Sequence, residues 1–310
     1  MNNSTPKTDT IRLALDWTPN TNNTGFFVAQ QKGFYEENGI VVEIITPEAD
    51  NYSVTPAKKL ELGSVDLALA SLESVISYNT KKNPMPCKAV AALLQDDLSA
   101  IVTLASSGIA SPKELDGKRY ASYKARYEDE IVRQMIRNAG GTGEVQLSYP
   151  EKLGIWDTLL AGNADATWIF TNWEGVEAEM AGVELNTFRL ADFGIPYGYS
   201  PVIIARENAI REKEEAFAAF LQATKKGFLY AKDFPAECST ILHNHLPEKD
   251  RSGIDLQKSQ IMTAASYGDK NSWGLMQRSR IQDFIDFLIK HNLENNILLA
   301  DEIFTNVLLA

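Results

Sequence analysis

The sequence predicts an α/β protein of two lobes, on three observations. Apolar runs of five or six residues alternate with helical stretches between Ile11 and Ala205. That is the rhythm of parallel strands joined by right-handed crossovers. The pattern Leu60-x-x-Gly63-x-x-Asp66 recurs as Leu159-x-x-Gly162-x-x-Asp165, once in each half of that region. From residue 207 the rhythm gives way to long helical spacing.

The elements follow in order. Ile11–Leu15 alternates as a short strand and breaks at Asp16-Trp17-Thr18-Pro19-Asn20. Residues 26–32 read as a helix stopped at Gly33, and the β-branched run 40–45 as a buried strand. A helix over 55–62 ending at Gly63, a strand over 65–70 and a helix over 73–79 complete the first group. Apolar runs at 90–94 and 100–104 flank Gln95-Asp96-Asp97. Ser111-Pro112-Lys113-Glu114 carries a helix-start signature. A strand at 118–123 precedes a helix at 129–138 closed by Gly140-Gly141, then a helix at 153–160. A strand at 166–170, a helix at 174–181 and a strand at 201–205 end the alternation. Helices are expected over 212–233, 255–267 and 278–290, where Ile281, Phe284, Ile285 and Leu288 form one core-facing stripe.

Composition narrows the function classes. The chain has 310 residues, 44% hydrophobic and 23% charged, with five Trp, which suits two packed lobes rather than disorder. Forty-one acids against 30 bases give a net charge of −11, with no basic run, so a nucleic-acid or anionic-membrane surface is not expected. No stretch reaches the ~20 apolar residues that span a bilayer. Cys87 and Cys238 lie far apart without ligand spacing and read as unpaired thiols. The opening MNNSTPKTDT lacks the basic and apolar regions of a secretory signal. Two compartments stay open: cytoplasmic as written, or periplasmic or extracellular if a signal was trimmed.

Enzyme signatures are missing. There is no GxGxxG after a strand, no GxxxxGK[ST], no HExxH and no GxSxG. His243 and His245 have no third ligand nearby in sequence and read as a helix end, so no metal site is expected. Aromatic residues interleaved with carboxylates at turns are the remaining feature. Asp16-Trp17 ends the first strand, Glu73 follows the strand at 65–70, and Trp168, Trp173 and Glu174 surround the turn after 166–170. Tyr123 and Tyr127 flank another turn, and Asp192, Tyr197 and Tyr199 precede Pro201. Ligands of open α/β sheets bind beyond the carboxyl ends of strands, where several of these fall. Trp and Tyr faces stack on flat rings, and carboxylates accept hydrogen bonds from amino groups. The expected ligand is small, flat and amino-bearing. Trp17, Trp168 and Trp173 are expected to stack on it, and Asp16, Glu73 and Glu174 to accept its hydrogen bonds. Asn20, Asn22, Tyr123 and Tyr197 form a second rank.

Leu15-Asp16-Trp17-Thr18-Pro19-Asn20-Thr21-Asn22, then Gly25-Phe26-Phe27-Val28-Ala29-Gln30 and Lys32-Gly33-Phe34-Tyr35, resemble the start of substrate-binding proteins of thiamine-pyrimidine importers. Gly63-Ser64-Val65-Asp66 and Asn172-Trp173-Glu174-Gly175-Val176 match the same family. The resemblance implies a bilobal type II periplasmic-binding-protein fold with a ligand cleft between two α/β lobes. Lobe 1 would take residues 10–103 and 206–310, lobe 2 residues 104–205, with hinge crossings near Leu104 and Ala205. It also implies a formylamino- or hydroxymethyl-pyrimidine ligand, an ABC importer permease as partner, and no cofactor.

The alternative within the same superfamily is a pyridoxal-phosphate-dependent enzyme of thiamine-pyrimidine biosynthesis. The fungal-type synthases carry a Lys four positions after the GxVD Asp, a His eight positions after it, and a CCCFC motif. Here those positions are Ala70 and Ser74, and no two Cys are adjacent. Such an enzyme would need a different lysine, with Lys124 the candidate.

Overall fold

The computed structural model describes residues 9–150 and 155–310. Ten strands are present among them: β1 Asp9–Ala14, β2 Ile40–Ile45, β3 Leu67–Ala70, β4 Cys87–Ala92, β5 Ser99–Leu104, β6 Arg119–Ala121, β7 Gln146–Ser148, β8 Ala166–Phe170, β9 Leu185–Phe188 and β10 Val202–Arg206. They form two five-stranded sheets, ordered β2-β1-β3-β10-β4 and β7-β6-β8-β5-β9. The two orders are equivalent position for position, so each lobe repeats one plan.

Pairing departs from the all-parallel expectation at two strands. β1 runs parallel to β2 and β3, and β6 parallel to β7 and β8. β10 is antiparallel to β3 and β4, and β5 antiparallel to β8 and β9. These are the strands that enter each sheet after the chain has passed from the other lobe, so their direction is set by that passage and not by a local crossover. The expected crossings near Leu104 and Ala205 therefore move. β5 lies wholly in the second sheet and β10 wholly in the first, which puts the passages at 93–98 and 189–201.

Alternation along the strands divides the core. Leu67 and Leu69 of β3, with Ile203 of β10, pack on one face of the first sheet against Phe26, Phe217 and Phe228. Ala68, Ala70, Val202 and Ile204 face the other side, toward Val75, Ile281 and Phe284. In the second sheet Ile101 joins that cluster, while Ala100, Val102 and Ile169 form the opposite layer. The expected stripe Ile281, Phe284, Ile285 and Leu288 is buried, on a helix that spans Arg278–Lys290.

The repeated motif has one structural job in both lobes. Asp66 Oδ2 accepts the backbone N–H of Arg12 at 2.9 Å and its Nε at 3.4 Å; Asp165 Oδ2 accepts the same two groups of Arg119 at 2.8 and 3.2 Å. Each Asp returns its own N–H to the carbonyl of that Arg, at 2.9 and 2.8 Å. Gly63 and Gly162 precede them at φ +73° and +68°, which a side chain would strain. The motif pins β3 to β1 and β8 to β6 before the strands begin.

Behind the first turn, the helices Thr24–Gln31 and Glu214–Asp233 cross in contact. A Cβ on Gly227 would lie 2.1 Å from the Gly25 carbonyl oxygen, and one on Gly25 would lie 2.0 Å from the Phe228 ring. These two glycines let the backbones touch.

Several elements were not expected from the sequence. β7 and β9 are short edge strands with half-exposed residues. The helix Pro235–His243 follows a break at Phe234. The helix expected over 212–233 is Glu214–Asp233, and a short helix not expected, Glu207–Glu212, precedes it. The Ser111 signature caps a single 3-10 turn, Pro112–Leu115. The helix expected over 153–160 is described as Ile155–Leu160; residues 153 and 154 lie outside the described residues.

Candidate functional site: an acidic aromatic cleft between the lobes

A cavity of about 530 Å³ opens between the lobes at the strand ends. All ten residues singled out from the sequence line it: Asp16, Trp17, Asn20, Asn22 and Glu73 from the first lobe, Tyr123, Trp168, Trp173 and Glu174 from the second, and Tyr197 from the returning passage. Asp16, Trp17, Glu73, Tyr123, Trp173 and Glu174 sit just beyond strand ends, whereas Trp168 lies within β8. Glu73 lies in the first turn of Leu72–Thr80, and Glu174 opens Glu174–Met180.

The aromatic residues differ in availability. Trp17 meets Tyr52 at 5.7 Å and, across the cleft, Tyr123 at 6.3 Å, both edge-on. Trp168 lies 5.1 Å from Tyr197, which in turn packs edge-on against Phe284. Trp173 is only 4% exposed and belongs to the first lobe's core cluster, so it forms a wall rather than a free stacking face. Among the second-rank polar residues, Asn20 is a turn-former. Its Oδ1 accepts Asn22 N–H at 2.8 Å and its Nδ2 donates to the Thr18 carbonyl at 2.9 Å. Asn22 Oδ1 accepts from Asn172 Nδ2 at 2.8 Å, and that amide also donates to Thr263 Oγ1 at 2.7 Å. Asn172, fully buried, thus ties the second lobe to two elements of the first.

Glu73 and Glu174 are buried and Asp16 half-buried, all without cations. Glu73 and Glu174 are 4% and 6% exposed, and neither they nor Asp16 joins an ion pair among the described residues. Burial pushes the Glu174 carboxyl up to about 8, with Glu177 adding to the effect. Burial likewise pushes Glu73 up to about 7, against the Tyr127 N–H that favours its charged form, and Asp16 up to about 6. Glu73 Oε1 accepts Tyr127 N–H at 2.8 Å and its Oε2 the Tyr197 hydroxyl at 3.3 Å, while Glu174 Oε2 accepts Phe170 N–H at 2.9 Å.

Sequence reasoning missed Glu128 and Arg126, which also line the cleft. Glu128 opens the helix Glu128–Asn138 just as Glu174 opens its own, and that shared position after a strand was the available signal. Arg126 turns away to Glu294 at 3.0 Å and Thr80 Oγ1 at 2.7 Å, a link between lobes that no sequence spacing displays.

Positions 70 and 74 offer pyridoxal phosphate neither an amine nor an imidazole. The cleft wall carries the Ala70 methyl and the Ser74 hydroxyl, the latter 3.2 Å from Ser71 Oγ, where an amine and an imidazole would be needed. Lys124 reaches the cleft, but its Nζ lies over the Tyr149 ring at 5.4 Å. Among the described residues no group of three or more His, Cys, Asp and Glu could hold a metal ion, and His245 instead stacks on Phe27 at 4.3 Å. Cys87 and Cys238 are both buried and free. No helix among the described residues is long and apolar enough to cross a membrane.

Comparison with known proteins agrees with this geometry. The family model described as NMT1/THI5 like matches residues 20–238. The formylaminopyrimidine-binding protein of Halalkalibacterium halodurans is 24% identical over 306 residues, covering 96% of this chain and 90% of the relative. A 4-amino-5-hydroxymethyl-2-methylpyrimidine phosphate synthase of Saccharomyces cerevisiae is 30% identical over 274 residues, 84% of this chain and 77% of the relative. A ligand-binding component of an ABC-type import system from Staphylococcus aureus superposes with a TM-score of 0.69 at 17% identity, covering 97% and 98% of the two chains. The fold is the bilobal one of periplasmic binding proteins.

Proposed function

Because the chain belongs to the NMT1/THI5-like family, we propose that it is a non-enzymatic binding protein for a thiamine-precursor aminopyrimidine. The observation that carries this reading is the pair of buried carboxylates, Glu73 and Glu174, with the half-buried Asp16, facing Trp17, Trp168 and Tyr197 without a paired cation. A flat ring enters between the aromatics, and its amino groups donate to the carboxylates. An oxyanion would find the opposite of what it needs. Closure of the lobes removes the ligand from water.

The lack of an amine at position 70 supports binding over synthesis, and no cofactor is needed for it. The similarity to an importer's ligand-binding component supports delivery to an ABC permease, a role that calls for a location on the outer side of the membrane. Calorimetric titration with formylaminopyrimidine and with hydroxymethylpyrimidine tests the reading. Saturable binding of either is expected. Binding of a sulfonate or nitrate, with no heat from any aminopyrimidine, overturns it.

A further inference from the structure

The second lobe presents a backbone loop, residues 122–127, that has the geometry of an anion site, yet its donors are already taken. It links β6 to the helix Glu128–Asn138, so its N–H groups and the positive end of an eleven-residue helix converge at the cleft. Glu128 folds back into this nest. Its Oε1 accepts Tyr123 N–H at 3.0 Å and the Tyr120 hydroxyl at 2.8 Å, and its Oε2 accepts Ala125 N–H at 3.2 Å. Lys124 N–H goes to Ser122 Oγ at 2.9 Å, and Tyr127 N–H to Glu73 across the cleft. The carboxylate is 3% exposed and meets donors on both oxygens, the arrangement a bound oxyanion would have.

We propose that Glu128 is a built-in anion that fills the second lobe's oxyanion nest, so that the cleft takes uncharged or cationic rings and rejects their phosphate esters. This rests on the aminopyrimidine reading and narrows it to the unphosphorylated ligand. The nearby cations are outnumbered: Arg126 is paired with Glu294, which leaves Lys124, over the Tyr149 ring, against Glu73, Glu128 and Glu174. A phosphate group arriving here would meet Glu73, Glu128 and Glu174 while giving up its water, with the loop's donors engaged. Glu128 acts on specificity by occupying donors, without any need to touch the ring.

The test is calorimetric titration of the full chain at pH 8 with 4-amino-5-hydroxymethyl-2-methylpyrimidine and with its phosphate monoester. The wild type is expected to prefer the alcohol by at least ~100-fold, as like charges set against each other in a dry site require. Glu128→Gln is expected to narrow that ratio by about tenfold or more. Equal binding of the two ligands by the wild type, or an unchanged ratio in Glu128→Gln, overturns the proposal. A second arm needs no pyrimidine: inorganic phosphate is expected to raise the melting temperature of Glu128→Ala and not that of the wild type. If neither pyrimidine binds the wild type, the aminopyrimidine reading falls, and the phosphate arm still decides whether Glu128 fills an anion nest. Stabilisation of both proteins alike, or of neither, overturns it.

Discussion

The backbone N–H of Tyr127 in the second lobe donates to Oε1 of Glu73 in the first at 2.8 Å, so one carboxylate both lines the cleft and ties the two lobes across it. Glu73→Ala removes the acceptor and leaves a buried N–H without a partner, a loss of about 2–3 kcal/mol. Loss of the carboxylate as an acceptor for the ligand is expected to lower affinity about tenfold or more by calorimetry. Glu73→Gln keeps an amide oxygen for Tyr127 and is expected to lose less.

Stability of the ligand-free protein should decline as pH rises. Glu73 and Glu174 hold their protons to about 7 and 8 when folded, well above their ordinary value of 4.5. Between pH 4.5 and 8 the folded state therefore binds more protons than the unfolded one, and stability is lost as pH rises through that window. The melting temperature is expected to drop by roughly 5 °C or more from pH 5 to pH 8.5. Glu73→Gln with Glu174→Gln should flatten the slope, and a flat wild-type profile would contradict the assignment.

Trp17 spans the cleft mouth between Tyr52 and Tyr123. Trp17→Ala is expected to weaken ligand binding about tenfold through lost stacking, with Trp17→Phe intermediate. Titration followed by the remaining tryptophan fluorescence measures both.

Gly227→Ala forces a methyl into the Gly25 carbonyl, and neither helix can yield without moving the 21–23 turn at the cleft. Overpacking of this kind costs about 1–3 kcal/mol, and backbone contact puts this site at the upper end. Denaturant unfolding should show a lower midpoint with an unchanged slope.

Much of the site was legible because its signal is local. A carboxylate in the first turn of a helix, two to four residues beyond an apolar strand, marks Glu73 and Glu174 wherever the lobes end up. Glu128 also opens a helix after a strand, but it falls outside that spacing, because the strand Arg119–Ala121 is short and a longer loop separates the two. What stayed hidden depends on the whole chain. The Arg126–Glu294 pair joins the middle of the sequence to its C-terminal part. The directions of β5 and β10 follow from the passage between lobes, which no window of residues contains. Asn20 and Trp173 were legible as cleft residues but not in their roles, since capping and core packing are set by neighbours such as Asn23 and Val176.

The placement of β10 also sets an order of assembly. Residues 93–201 carry every strand of the second sheet, so that lobe can complete its hydrogen bonding as soon as it leaves the ribosome. The first lobe cannot. β4 reaches the rest of its sheet only through β10, so 92 residues of nascent chain wait, with an unpaired edge on β3, until the strand at 202–206 arrives. A chain cut after residue 201 should therefore leave one lobe intact and the other with an open, aggregation-prone sheet. The lobe that is finished last carries Asp16, Trp17 and Glu73, so ligand capture becomes possible only once the protein is nearly whole.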